Sequence, residues 1–461
     1  MSMEWPQLLC AGRLGRELRQ ARPHDPARSE FRRDSDRITF TSAFRRLQDK
    51  TQVFPLADND YVRTRLTHSL EVASVGRSLG ARVGAVVSAR HALPGVHPSD
   101  FGDIVSAAAL AHDLGNPPFG HSGEDAIRHW FKTSPHAQRA SQGLTPIQRA
   151  DFERYEGNAQ GFRLITRLQM PDNPGGLQLT HATLGAFAKY PRESLLPDHA
   201  VADAGARVGV SAKKFGFCQS ERAHFASVAE HCGLIRRAPE VAWWARHPLA
   251  FIVEAADDIC YRLVDFEDGC RLGHLPYEEV RDAFVALMRE DQRPQRLHEA
   301  RSDSRRVQIL RAMAIGSAIE ECAEVFLANE DTILAGTFDT SLIDAGSSRE
   351  AWRMISDKAR ATIYATDRGV GIEASGYQVL SGLLDLFTSA VLDPDHGLSR
   401  RILQFMPDEN LAEGRRPLAD SYEQMLRILD FVSGMTDGYA VSLYRKLTAG
   451  SLPGSRAERF G

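Results

Sequence analysis

The chain is poor in the features that would place it outside an ordinary globular fold. Its six cysteines (Cys10, Cys218, Cys232, Cys260, Cys270 and Cys322) are scattered through 461 residues without a C-x-x-C pair. That spacing excludes a disulfide frame and a thiolate zinc site, leaving reduced, mostly buried thiols as the expectation. No uncharged stretch approaches the roughly 18–20 apolar residues of a membrane span. The first residues, MSMEWPQLLC, lack the apolar core and cleavage signal of a secretory leader. A cytoplasmic protein without membrane partners is therefore expected. An excess of positive charge is lacking too: 56 Lys and Arg against 60 Asp and Glu leave a net −4. Coating nucleic acid by charge alone is excluded. The glycines of HDLGNPPFG are not followed by G-K-[ST], so this is no P-loop. Internal repeats and low-complexity tracts are absent, and strand-like alternation is scarce.

What remains is 43% apolar and 25% charged, an ordinary globular balance. The length suits one large domain or two to three smaller ones. We place a soft boundary near 280–300, at the charged stretch MREDQRPQRLHEARSDSRR, dividing a core of 1–280 from a C-terminal helical region of 281–461. One local bias stands out, ten arginines from Arg13 to Arg46 interleaved with acids. A solvated or subunit surface is its first reading, and a nucleic-acid or polyphosphate contact its second.

Helical periodicity dominates, and the fold class is all-α. His68, Val72, Val75 and Leu79 form one stripe within 66–79. The small apolar run DIVSAAALAH (103–112) must end at Gly115-Asn116-Pro117-Pro118. PLAFIVEAADDICYRLVDFED (248–268) reads as a buried helix closed by Gly269. Further helices are expected near 306–328, 349–366, 376–391 and 416–447, with loops at 171–176, 191–211 and 393–397. Trp243-Trp244 suits a core or an interface better than a base-stacking platform.

Chemistry concentrates in HDLGNPPFGHSGE (112–124). A helix end delivers His112-Asp113 into an irregular loop carrying His121 and Glu124. His68 on a preceding helix, and Asp257 or Asp258 on a later one, could complete a set of four N/O ligands for one divalent ion, leaving open positions for water and phosphate. Each residue alone has a bland reading, as a core histidine or half of a salt bridge. The conjunction is stronger, because an Asp-Asp pair inside AFIVEAADDICY is costly to bury without a cation. Two histidines and two carboxylates suit Mn²⁺, Fe²⁺, Co²⁺ or Ni²⁺ somewhat better than Mg²⁺. Arg65 shares a helix face with His68 and is the best candidate for a phosphate contact. Arg63, Lys189 and Lys213 or Lys214 are weaker ones.

These residues resemble the H…HD…D signature of the HD-domain superfamily of metal phosphohydrolases. The segments FRRDSDRI (31–38), SAFRRLQDKTQVF (42–54), YVRTRLTHSLEVA (61–73), YEGNAQGFRLITRL (155–168), ATLGAFAKYP (182–191), KKFGFCQSE (213–221), EAADDICY (254–261) and SGMTDGYAVSLYRKL (433–447) are similar to the bacterial dGTP triphosphohydrolase family and its dGTPase-like relatives. The resemblance implies an HD-type helical core with additional C-terminal helices, and hydrolysis of a dNTP to deoxynucleoside and inorganic triphosphate. It implies His68, His112, Asp113 and Asp257 as ligands of one metal, Mn²⁺ or Mg²⁺ foremost. Asp257 is chosen because the family's ligand lies four residues before a tyrosine, here Tyr261. Helix geometry agrees, since 257 and 261 share a face and 258 is rotated by about 100°. His121 and Glu124 match the catalytic pair, with Glu124 orienting the imidazole from a turn of helix expected to begin at Ser122. Gln52 would contact the 3′-hydroxyl, Asn158 the sugar or phosphates, and Tyr261 the deoxyribose. A homo-oligomer is the family habit, and a single-stranded nucleic acid or an allosteric nucleotide remains a candidate partner. Two rival readings stand beside this one: an HD nucleotidase or phosphodiesterase acting on another nucleotide, and a nucleotide- or nucleic-acid-binding regulator with little catalysis.

Overall fold

The computed structural model describes residues 2–16, 28–52, 63–204, 209–293, 297, 300–363 and 367–448, excepting the side chains of 202–204, 292, 367–370 and 372–373. Among these residues there are 22 α-helices and no β-strand, only isolated bridges such as Thr51–Thr64. The fold is all-α. None of the described helices is long and apolar enough to cross a membrane. Eight helices frame the site: α1 (Arg65–His91), α2 (Pro98–Ala111), α3 (Gly120–Thr133), α4 (Gly157–Arg163), α5 (Pro248–Arg271), α6 (Asp367–Leu392), α7 (Ser421–Ser433) and α8 (Asp437–Leu447).

Local chemistry explains where the central helices begin. Thr64 and Thr67 form a reciprocal capping box that starts α1. Pro98 sits at the first helical position of α2, where its missing N–H costs nothing. α1 and α2 then pack closely, because Gly76, Gly80 and Gly84 line one side of α1 at four-residue intervals. A Cβ on Gly84 would lie 2.5 Å from the Pro98 carbonyl oxygen, and one on Gly80 2.9 Å from that of Phe101. Gly84→Ala should therefore destabilise the fold by about 1–3 kcal/mol through overpacking. A urea midpoint equal to wild type would show the contact to be looser than this.

Two large apolar clusters result. One gathers α1, α2 and α5 around side chains such as Val72, Leu79, Phe101, Ile104 and Ile252. The other joins α3 to α6, α7 and α8 through Ile127, Leu380, Leu426 and Leu443. α4 bridges them, giving Phe162 to the first and Ala159 to the second. At the end of α4, the wholly buried Arg163 donates to Asp430 on α7 and to Glu221. The HD loop, 112–124, lies where the two clusters meet.

Several boundaries differ from the sequence expectation. α5 passes through Gly269 and ends at Arg271, with the left-handed glycine two residues beyond that end at Gly273. A Cβ on Gly269 would press on Ile363, so that residue serves packing. The single helix expected over 416–447 is two, α7 and α8, parted at Gly434-Met435-Thr436. α3 begins at Gly120, not Ser122: Phe119 (φ 64°) and Gly120 (φ 60°) both take left-handed backbone, and Ser122 lies inside the helix. The 191–211 loop contains a short helix, Asp198–Ala204. Of the N-terminal arginines, Arg13 is buried against Glu30 and Asp34, Arg28 pairs with Asp36, and Arg32 reaches Asp103. Arg19 and Arg22 lie outside the described residues.

Candidate metal centre

Three helices deliver imidazole and carboxylate to one point. His68 lies in the first turn of α1, His112 caps the end of α2, and Asp257 projects from the middle of α5. One donor atom from each lies within 4.8 Å of the other two. Asp257 Oδ1 is 3.2 Å from His68 Nε2 and 3.5 Å from His112 Nε2. Asp113 Oδ1 also approaches His112 Nε2, to 3.5 Å. Asp258 is turned away and pairs with Arg262 at 3.2 Å.

Outer contacts orient these groups. His112 Nδ1 lies 2.6 Å from the Ala109 carbonyl, which makes Nδ1 the protonated nitrogen. Its Nε2 lone pair then faces the carboxylates, buried and without a hydrogen-bond partner among the described residues. An orphaned imidazole nitrogen between two carboxylates fits a cation, and the mixed N/O donor set suits a divalent one. Asp113 accepts from Arg65 at 2.8 Å and from Asn116 Nδ2 at 2.5 Å. Asp257 Oδ2 accepts from Lys189 Nζ at 2.5 Å.

The electrostatics agree with a site built to hold positive charge. Burial opposes ionisation of Asp257, yet Lys189 and then the histidines hold its carboxyl well below the usual range. Asp113 is likewise held down, against its burial, by His112, Arg65 and His68. Burial disfavours charge on His112 too, but Asp113 and Asp257 outweigh it and raise its pKa.

A second carboxylate cluster backs the loop. Glu124 is buried, accepting from the Gly157 N–H at 2.7 Å and from Arg128 at 3.1 Å. His121 is exposed, its side chain 82% accessible, with Nδ1 3.5 Å from Glu124 Oε2. Glu156 shares Arg128 with Glu124 and takes Lys214 at 2.9 Å. Burial and the neighbouring Glu124 push Glu156 up to about 7. Lys50 is also buried here and donates to the carbonyls of Asn116 (2.6 Å) and Ser433 (3.0 Å). Burial, then Arg46 and Arg65, push its pKa down to about 7.

The remaining expected residues are distributed as follows. Arg65 is buried behind His68, its guanidinium against Gly120 as well as Asp113. Gln52 is half-buried beside the Thr51–Thr64 bridge, its Oε1 without a partner among the described residues. Asn158 follows Gly157 in the first turn of α4, half-buried. Tyr261 is 40% exposed, one turn beyond Asp257 on α5. Arg63 is not brought in: Glu71, Glu267 and Asp268 hold it. Lys213 is exposed, and Trp243 and Trp244 are buried. Sequence reasoning missed Lys50, Asn116, Arg128 and Glu156. Spacing could have flagged Arg128, four residues after Glu124 on one helix, and Asn116, three after Asp113; for Lys50 and Glu156 there was no such signal, because nothing in a lone charged residue announces that it will be buried.

Comparison with known proteins places the chain in a family. The HD domain family model matches residues 65–155. A deoxyguanosinetriphosphate triphosphohydrolase-like protein of Synechocystis sp. is 46% identical over 453 residues, covering 98% of this chain and all of the relative. One of the same description from Pseudomonas aeruginosa is 41% identical over 465 residues, covering 98% of this chain and all of that protein. A deoxyguanosinetriphosphate triphosphohydrolase of Salmonella arizonae is 30% identical over 493 residues, covering 91% and 93% of the two chains.

Proposed function

The chain belongs to the deoxyguanosinetriphosphate triphosphohydrolase-like family of HD-domain proteins, and from that premise we propose that it hydrolyses deoxynucleoside triphosphates to deoxynucleoside and inorganic triphosphate. The observation that carries the reading is the meeting of His68, His112 and Asp257 from three helices, with a second imidazole–carboxylate pair, His121 and Glu124, at the end of the same loop. A binding site alone would have no use for that second pair.

His68, His112, Asp113 and Asp257 would hold one divalent ion, Mn²⁺ or Mg²⁺ foremost with Fe²⁺, Co²⁺ and Ni²⁺ as further candidates. Such an ion supplies charge neutralisation at a phosphoryl oxygen. A triphosphate carries roughly four negative charges, more than one ion balances, so basic side chains must contribute. Arg65 and Lys189 lie directly behind the ligand carboxylates and add positive potential from there. His121, exposed on the loop, moves a proton to or from the departing 5′-oxygen or the attacking water, while Glu124 holds the ring's orientation. The buried Gln52 Oε1 accepts from a 3′-hydroxyl, Asn158 binds near it, and Tyr261 packs on the sugar where a 2′-hydroxyl would crowd.

Product chromatography across the four dNTPs and GTP, with Mn²⁺ and Mg²⁺ compared, tests this. Inorganic triphosphate and free deoxynucleoside are expected, with GTP the poorest substrate. Release of monophosphate or single phosphates would instead favour a nucleotidase or phosphodiesterase. Thermal stabilisation by dNTPs without turnover would favour a regulator.

A further inference from the structure

The segment SGMTDGYAVSLYRKL (433–447) is far from the HD loop in sequence, yet its one buried acid touches that loop. Asp437 is the first residue of α8 and 3% exposed. Its Oδ1 accepts from the Phe119 N–H at 3.0 Å, and its Oδ2 from the Thr51 N–H at 3.1 Å. Phe119 caps α3, whose next residues are Gly120 and His121. Thr51 precedes Gln52. One carboxylate therefore joins the two backbone segments proposed to carry the proton-transfer group and the sugar contact.

The Phe119 conformation shows why such a clamp is needed. A φ of 64° is uncommon for a residue with a side chain and persists only where its surroundings enforce it. Its ring is packed on α6, where a Cβ on Gly376 would lie 3.0 Å from it. Packing thus fixes the ring, and Asp437 fixes the amide. Lys50 ties the same corner from below, bonding Asn116 and Ser433 together.

We propose that Asp437 is a positioning residue for hydrolysis: it fastens the Phe119 amide to the Thr51 amide and so sets where His121 stands relative to the sugar subsite at Gln52. This rests on the triphosphohydrolase reading above. An aspartate suits the task because two N–H groups need two acceptors, and a carboxylate has no donor to turn against either. In Asp437→Asn one oxygen remains, and the amide NH₂ faces the second N–H.

The test uses the full-length protein. Asp437→Asn should lower kcat by about 10–100-fold, the cost of a small misplacement of a reacting group, while metal affinity stays at the wild-type value. In a His121→Gln background the same change should cost less than about threefold more, because both act on one step. Deuterium uptake of peptides covering 50–52 and 116–123 should rise in the Asp437→Asn protein without nucleotide. Wild-type kcat, unchanged uptake, or a full 10–100-fold further loss in the His121→Gln background would each overturn the proposal. Should the amide variant not fold, Asp437→Glu, which keeps the charge one methylene further out, carries the same cycle and the same uptake measurement. If the wild-type protein releases no triphosphate, the functional reading fails by itself. The uptake measurement still decides whether Asp437 holds the two segments.

Discussion

A protein carrying His112→Ala and Asp113→Ala together should bind no stoichiometric Mn²⁺ or Mg²⁺ and release no detectable triphosphate from any dNTP. Metal polarisation of a phosphoryl group supplies several kcal/mol of transition-state stabilisation, so the loss should be on the order of 10⁴-fold or more. Neither side chain can be replaced from nearby. His112 has its outer nitrogen fixed by the Ala109 carbonyl, so its Nε2 is left for the centre, and Asp113 lies 3.5 Å from that nitrogen, as Asp257 does. The variant has a structural cost as well, because removing Asp113 leaves the buried Arg65 without its carboxylate, a change of about 3–5 kcal/mol for a buried pair. Metal content must therefore be measured on protein whose helical circular dichroism is intact. His112→Gln is the companion that spares the Arg65 pair and should lose metal with less loss of stability. Retention of stoichiometric metal by both proteins would mean that the ion sits elsewhere.

The residues differ in how far the sequence alone revealed them, and the reason is physical. His112-Asp113 could be placed because a run of small helix formers must stop before Gly115-Asn116-Pro117-Pro118, and the helix does end at Ala111. Periodicity gave α1 and α5, since both bury a continuous stripe. It could not give their ends: α1 runs to His91, twelve residues past the recognised stripe, and α5 ignores Gly269 because packing against Ile363 wants a small residue there. The start of α3 was misplaced at Ser122 because two consecutive left-handed residues, one of them Phe119, leave no composition signal. The outer partners were least visible. Arg65 was legible as a cation one turn from His68, but its bond to Asp113 depends on how α1 meets α2. Glu124 could be paired with His121 and, four residues on along α3, with Arg128 by spacing, whereas Glu156 and Lys214 join them only through tertiary packing.

The exposed His121 offers the cleaner dissection of chemistry from folding. His121→Gln should keep full metal content and bind dNTP with near wild-type affinity, yet turn over about 10²–10⁴-fold more slowly, the usual contribution of positioned acid–base help. Its ring is 82% accessible and contacts Glu124 only at 3.5 Å, so the fold does not depend on it. The melting temperature should stay close to wild type, since surface changes away from structural features stay within about 0.5 kcal/mol. Glu124→Gln should behave differently. That carboxylate is buried, accepts from Gly157 and Arg128, and has Lys214 at 3.8 Å. Neutralising it removes the buried charge that Arg128 and Lys214 both face, leaving them Glu156 and, for Arg128, Asp125, and should lower stability along with rate. The comparison separates the two roles: a rate defect without a stability defect marks the proton-transfer group, and both defects together mark the residue that holds it. A His121→Gln protein with wild-type kcat would remove His121 from the chemistry and leave the proton transfer without an assigned side chain.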